Sequence, residues 1–222
     1  MARFTRLDVL TTMVDIGVVP LFHHSDPETA KQAVAALARG GARIVEFTNR
    51  GDHALEAFVE LEKFTAAAYP QVILGVGSVI DAPTAAAFIN AGASFVVCPS
   101  LDAEVVRLCN RRKVGVVPGC ATTTEIVTAH ELGCEIVKAF PGGQLGGPGF
   151  VKAVRGPIPS ASIMPTGGVD ITEESLTAWF EAGVACVGIG SKLVRKDLIE
   201  AGDWEALEQA MSDVIGIVSR LR

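Results

Sequence analysis

Lys138, Glu46 and two glycine-rich turns are the parts of this chain whose residue types could do chemistry. Lys138 sits in Glu135-Ile136-Val137-Lys138-Ala139-Phe140-Pro141, near the end of an apolar run that reads as a strand. An apolar site disfavours the ammonium and lowers the lysine pKa. A neutral amine near pH 7 is what a Schiff-base nucleophile needs. Taken alone, the strand fits an edge lysine that snorkels to solvent; the other strand ends turn the reading towards the nucleophile. Glu46 alternates in phase with Ile44 and Thr48, so the three share one face of a strand. If that face points inward, a carboxylate and Lys138 share one interior. They are then either an acid/base partnership or a buried ion pair, and such pairs often stabilise no better than apolar packing.

Thr166-Gly167-Gly168 and Gly188-Ile189-Gly190-Ser191 follow two consecutive apolar runs. Glycine-rich turns at such places let backbone N–H groups close on a phosphate. Other runs end in Glu46 and Arg50, in Gly75-Val76-Gly77-Ser78 and in Pro118-Gly119-Cys120-Ala121-Thr122. His23 and His24 are adjacent, so their side chains diverge on an extended segment, and they read as solvated loop residues. His53 and His130 read as helix-surface residues. No HExxH, GxSxG or dinucleotide fingerprint is present, which leaves no metal site and no nucleotide cofactor to expect.

The elements that must position these residues follow a βα rhythm. Apolar runs at 17–22, 43–48, 72–77, 94–98, 114–118, 135–140, 161–166 and 184–189 alternate with helical patterns at 27–39, 53–67, 82–91, 103–111, 123–132, 148–155, 173–182 and 204–220. Asp26-Pro27, Asp81-Ala82-Pro83 and Thr172-Glu173-Glu174 are helix N-terminal signals. Gly40-Gly41, Gly92, Gly133 and Gly183 are C-terminal ones. An extra helix at about 5–15 precedes the first strand. Eight such units predict a (β/α)8 TIM barrel occupying residues 1–222 as one domain. A doubly wound sheet would usually carry a glycine-rich fingerprint after its first strand, where this chain has Phe22-His23-His24-Ser25-Asp26.

Composition excludes several function classes. The 222 residues are 49% hydrophobic and carry a net charge of −6, with no basic cluster larger than Arg111-Arg112-Lys113. Nucleic acid is therefore not an expected partner, and an anionic substrate must be held by local devices such as one arginine and backbone N–H groups. No apolar stretch is long enough to span a bilayer, and the N-terminus lacks signal-peptide features. Cys98, Cys109, Cys120, Cys134 and Cys186 are odd in number and form no CxxC pair. Those features predict a cytoplasmic protein, and Cys98, Cys134 and Cys186, which lie in apolar strand-like runs, read as small core residues.

Val45-Glu46-Phe47-Thr48-Asn49-Arg50, Gly75-Val76-Gly77-Ser78-Val79, Pro118-Gly119-Cys120-Ala121-Thr122, Val137-Lys138-Ala139-Phe140-Pro141 and Pro165-Thr166-Gly167-Gly168-Val169 resemble, in the same order, the 2-keto-3-deoxy-6-phosphogluconate (KDPG) and 4-hydroxy-2-oxoglutarate (KHG) aldolases. The resemblance implies a class I aldolase, a homotrimer without metal or cofactor, acting on a small keto acid or sugar-acid phosphate. It implies Lys138 as the Schiff-base residue, Glu46 as general acid/base, and Arg50 and Ser78 at the pyruvyl carboxylate. Pro118, Thr166, Gly167, Gly168, Gly190 and Ser191 complete the expected substrate site. Ser78 in place of the usual threonine, Asn49, Cys98-Pro99-Ser100 and the long Gly142–Gly147 segment all fall near the expected pocket and bear on the substrate rather than the chemistry. The segment Pro118–Thr122 also resembles the 2-keto-3-deoxy-6-phosphogalactonate aldolases, and a phosphate-binding barrel isomerase or epimerase is the alternative reaction class.

Overall fold

Alternation along the strands divides the apolar residues into two sets. Val19, Ile44, Ile73, Phe95, Ile136 and Met164 form one buried cluster, while Val18, Val45, Leu74, Val96, Val137 and Ile163, each one residue away, belong to another. Neighbouring side chains on a strand point to opposite faces, so two apolar faces require two covered surfaces. The computed structural model, which describes residues 2–222, supplies both: a barrel interior and a layer of helices outside it.

The strands are β1 (Val18–Phe22), β2 (Ile44–Thr48), β3 (Ile73–Gly77), β4 (Phe95–Val97), β5 (Gly115–Val117), β6 (Gly119–Cys120), β7 (Ile136–Ala139), β8 (Ser162–Pro165) and β9 (Val187–Ile189). All their pairings are parallel, in the order β5-β4-β3-β2-β1-β9 and β6-β7-β8. The expected fifth run is thus split at Pro118, which has no N–H for the ladder. Pro118 still accepts from the Lys138 N–H at 2.8 Å, so β5 and β6 act as one stave. A parallel bridge between Thr166 and Gly188 closes the ring between β8 and β9. The result is the eight-stave parallel barrel expected from the βα rhythm.

Helix α1 (Arg6–Ile16) precedes β1. Its N-terminus is fixed by a capping box in which Thr5 and Asp8 satisfy each other's backbone N–H groups. Its buried Val9, Leu10 and Met13 join the interior cluster and plug the amino-terminal mouth of the barrel. Helices α2 (Pro27–Arg39), α3 (Ala54–Ala68), α4 (Ala82–Asn90), α5 (Ala103–Arg112), α6 (Thr123–Glu131), α7 (Pro148–Arg155) and α8 (Glu173–Glu181) alternate with the strands. Two more follow β9: α9 (Lys196–Ala201) and α10 (Trp204–Arg220). The six-residue α9 was not expected, because it buries no side chain and its N-cap Arg195 makes no side-chain cap bond. His53 is exposed, as a surface residue of the helix should be, and forms the N-cap of α3 at φ 60°. All five cysteines are free and buried, Cys109 and Cys120 included.

No helix among the described residues is long and apolar enough to cross a membrane. With α1 sealing one end by apolar contact, the polar interior residues Glu46, Lys138 and Thr166 lie towards the carboxyl ends of their strands, and the chemistry is confined to that end.

Candidate active site

A cavity of about 560 Å³ opens at the carboxyl ends of β1, β2, β7, β8 and β9. Of the residues expected from the sequence, Arg50, Thr166, Gly167, Gly168, Gly190 and Ser191 are on its wall. Lys138 and Glu46 are buried rather than on the wall, with 5% and 1% of their surface exposed. The Lys138 Nζ lies 4.4 Å from the centroid of Phe140, whose ring is part of the wall. Ser78 stands beside Arg50, whose Nε donates to its Oγ at 3.4 Å. Ser78 and Pro118, like Lys138 and Glu46, lie off the cavity wall; the Pro118 carbonyl accepts from the Lys138 N–H at 2.8 Å, which ties it to the nucleophile's strand.

Strand alternation delivers the two charged groups. Glu46 follows Ile44 by two residues and Lys138 follows Ile136 by two, and both isoleucines are in the barrel interior. They do not form the buried ion pair that the sequence allowed. Among the described residues Glu46 Oε2 has no hydrogen-bond partner, and Lys138 acts on Glu46 only as a nearby charge. Burial therefore decides both groups. Loss of water pushes the Glu46 carboxyl up from its ordinary value, against the pull of Lys138 and Arg50. It pushes the Lys138 amine down, with Glu46 opposing and Arg50 assisting. Burial thus favours the protonated form of the carboxyl and the neutral form of the amine.

Glycines make the room for these side chains. A Cβ on Gly75 would stand 2.3 Å from Phe95, which fills the barrel interior, and one on Gly77 would stand 1.6 Å from Glu46 Oε1. A Cβ on Gly188 would stand 2.4 Å from Thr166 Oγ1, the other buried polar atom without a partner. A buried polar atom left unpaired costs about 1–3 kcal/mol, and such atoms beside a cavity mark where a polar ligand can be met. Ser78 has φ 59°, a left-handed conformation that costs a non-glycine residue about 1–2 kcal/mol. That strain is stored in the residue that meets Arg50.

The glycine turns after β8 and β9 behave as a cradle. The N–H groups of Gly167, Gly168, Gly190 and Ser191 donate to no backbone oxygen, among the described residues. The segment after Lys138 is locked onto the first of these turns. Gly142 N–H donates to Thr166 O at 2.9 Å and Gly143 N–H to Gly167 O at 2.8 Å. Gly168, at φ 80°, lies so near Gly143 that an added Cβ would meet its Cα at 2.6 Å.

Sequence reasoning missed two wall residues of consequence, Phe140 and His23. Phe140 was quoted only as part of the lysine motif, yet its ring is the group nearest the amine for which a contact is resolved. His23 and His24 both read as solvated loop residues, and both are partly buried on the cavity wall. The packing of its ring on Phe47, at 5.7 Å between centroids, and its contact with the Thr48 carbonyl distinguish His23 from His24.

Residues 9–210 match the family model described as "Aldolase: KDPG and KHG aldolase". The 2-dehydro-3-deoxy-phosphogluconate aldolase of Pseudomonas aeruginosa is 36% identical over 181 residues, covering 81% of this chain and 79% of that protein. The KHG/KDPG aldolase of Escherichia coli is 29% identical over 209 residues, 93% of each chain. The crystal structure of KDPG aldolase from Legionella pneumophila, with pyruvate captured as a covalent carbinolamine intermediate, superposes with a TM-score of 0.84. It is 26% identical and covers 92% of this chain and 97% of its own.

Proposed function

The chain belongs to the KDPG and KHG aldolase family of pyruvate-yielding carbon–carbon lyases, and from that membership we propose that it cleaves 2-keto-3-deoxy-6-phosphogluconate to pyruvate and glyceraldehyde 3-phosphate through a Schiff base on Lys138. The observation that carries this reading is the burial of one amine and one carboxyl in the same barrel interior, with their protonation pushed in opposite directions. The neutral Lys138 amine attacks the C2 ketone, and the carbinolamine loses water to give an iminium. Glu46, directly or through a water, takes the proton of the C4 hydroxyl. The C3–C4 bond breaks, its electron pair passes to the iminium nitrogen, and glyceraldehyde 3-phosphate leaves. The enamine takes a proton back at C3, and water releases pyruvate and the free amine. The electron sink is the iminium itself, so the reaction needs no cofactor or metal.

Arg50 and Ser78 hold the pyruvyl carboxylate in this reading, an arginine and a hydroxyl already in contact. The free N–H groups of Gly167, Gly168, Gly190 and Ser191 hold the phosphate. Thr166, with an unpaired hydroxyl, faces the substrate chain between them. The same machinery accepts 4-hydroxy-2-oxoglutarate, which yields pyruvate and glyoxylate. A second reading, the 2-keto-3-deoxy-6-phosphogalactonate substrate that differs at one hydroxyl-bearing carbon, is favoured by the Pro118–Thr122 segment alone. The alternative class, a phosphate-binding isomerase or epimerase, needs no iminium, and a loss of activity with no trapped adduct would favour it. We place the enzyme in the cytoplasm as a single-barrel homotrimer; the unpaired cysteines support the compartment, and sedimentation analysis tests the assembly.

Borohydride reduction in the presence of pyruvate, followed by peptide mass mapping, tests the central assignment. One pyruvyl group is expected on Lys138 in the parent and in Glu46→Gln, with turnover of the latter reduced roughly 10²–10⁴-fold. Labelling of Lys152 or Lys192 instead would overturn the nucleophile, and turnover of Glu46→Gln within threefold of the parent would overturn the acid/base.

A further inference from the structure

His23 stands at the end of β1, and β1 lies between β9, which bears the Gly190-Ser191 turn, and β2, which bears Glu46 and leads to Arg50. A substrate held by its phosphate at one of these strands and by its reacting carbons at the other must cross the end of β1. His23 is on the cavity wall there, together with Thr48, Arg50 and Gly190.

Its orientation and tautomer are fixed. The ring packs on Phe47, and Nδ1 lies 3.2 Å from the carbonyl oxygen of Thr48. A carbonyl only accepts, so Nδ1 carries the proton and Nε2 presents a lone pair. Nε2 has no hydrogen-bond partner among the described residues. The backbone beside it is Gly51, where an added Cβ would stand 3.9 Å from Nε2 with nothing else within 4 Å. Burial, Arg50 and His24 all oppose protonation of the ring, outweighing the help of the Thr48 carbonyl, and push its pKa down. His24, also on the cavity wall, differs: its Nδ1 lies 3.1 Å from the Asp26 nitrogen and 3.2 Å from the Asp26 carbonyl oxygen, which ties it to the turn before α2.

We propose that His23 is a specificity-determining residue whose Nε2 accepts a hydrogen bond from the substrate hydroxyl lying between the cleaved bond and the phosphate, the C2 hydroxyl of the aldehyde product. This rests on the aldolase reading above. A neutral acceptor suits a hydroxyl and offers nothing to an anion, so it selects hydroxylated aldehyde phosphates over deoxy analogues. Glu46 remains the only group asked to move a proton.

The test is pyruvate addition, run with two aldehydes: glyceraldehyde 3-phosphate and 3-oxopropyl phosphate, which lacks only that hydroxyl. His23→Asn keeps a donor near the Thr48 carbonyl and removes the acceptor at the ε position. It is expected to lower kcat/KM for glyceraldehyde 3-phosphate by roughly 5–50-fold, the scale of one or two hydrogen bonds, and for 3-oxopropyl phosphate by less than twofold. His23→Gln, which returns an amide oxygen near the ε position, is expected to recover most of the loss. Equal losses on the two aldehydes, or no loss on either, in a variant that still forms the borohydride-trapped pyruvate adduct would overturn the role of His23 while leaving the aldolase reading intact. Should His23→Asn fail to form that adduct, His23→Gln decides by the same two ratios. A parent enzyme that forms no adduct would overturn the aldolase reading and this inference with it.

Discussion

The Glu46 carboxylate occupies the space that a side chain on Gly77 would need. The nearest carboxylate oxygen is 1.6 Å from where that Cβ would stand, and Thr48, two residues beyond Glu46, is the register partner of Gly77. A missing side chain on one strand is thus what lets a carboxylate lie flat over its neighbour, inside a barrel that is otherwise filled.

Gly77→Ala should therefore fold and fail. The methyl drives the carboxylate off its seat, and a displacement of about 1 Å at a reacting group can lower rate by roughly 10²-fold. Steady-state kinetics should show a fall in kcat of that order with far-ultraviolet circular dichroism unchanged. A kcat within threefold of the parent would mean that Glu46 reaches the substrate from another position.

Lys138→Met should be inactive and more stable. The amine is buried with an aromatic ring beside it and, among the described residues, forms no salt bridge; an unsatisfied buried polar group costs about 1–3 kcal/mol, which an apolar side chain of similar size removes. At roughly 2–4 °C per kcal/mol for a chain of this size, Tm at pH 7 should rise by several degrees. The sign with pH follows from linkage. The folded pKa lies below the ordinary 10.5, so between the two values the unfolded parent binds more protons and parent stability rises with pH. The advantage of Lys138→Met should thus be largest below the folded pKa and shrink as pH climbs towards 10.5. A Tm below that of the parent would show that the lysine is held by interactions more favourable than its surroundings indicate.

Gly190→Ala should separate phosphate binding from folding. Its new Cβ would meet Leu21, with the flexible Cδ1 at 3.1 Å and the Cγ and carbonyl oxygen at an ordinary 3.6 Å, whereas a side chain at Gly168 would strike the Gly143 backbone and disturb the loop that follows Phe140. A side chain at a phosphate-cradling glycine blocks the close approach of the anion. The expected result is a loss of at least roughly tenfold in kcat/KM for the phosphorylated substrate and less than threefold for 4-hydroxy-2-oxoglutarate. Equal losses on the two substrates would assign the turn to barrel shape instead.

The five thiols should be silent in the folded enzyme. All are buried and free. Loss of water pushes Cys109, Cys120 and Cys186 up to about 12 and Cys134 up to about 11, and raises Cys98 as well. Thiolate is the reactive form, so a disulfide reagent at pH 8 should titrate none of them natively and all five in denaturant. Rapid native labelling of any one would place a cysteine in contact with solvent.

The parts of this protein that were legible in the sequence are those governed by local periodicity. Period-two alternation on 43–48 and 135–140 put Glu46 and Lys138 on the same faces as Ile44 and Ile136. Asp26, Asp81 and Thr172 cap α2, α4 and α8 as their side-chain chemistry requires. Helix 148–155 begins at a proline and ends before a glycine, and it matches α7. The family motifs kept their order because each is a strand end, and strand ends follow chain order around the barrel.

What needed the tertiary structure is everything that depends on which distant groups meet. Pro118 reads as a site residue in sequence, and only the closed sheet shows that its carbonyl meets the Lys138 backbone. Gly77 reads only as part of a strand end, but its place in the sheet leaves volume for the Glu46 side chain of the next strand. His23 and His24 are alike as neighbours in a loop; the Phe47 ring and the Thr48 carbonyl, brought by β2, fix the ring of one of them. Glu46 and Lys138 could as well have formed an ion pair by their faces alone. A strand's face is set by its own alternation, but distance and solvent exclusion are properties of the closed barrel, and they decide whether two charges pair or are separately pushed towards neutrality.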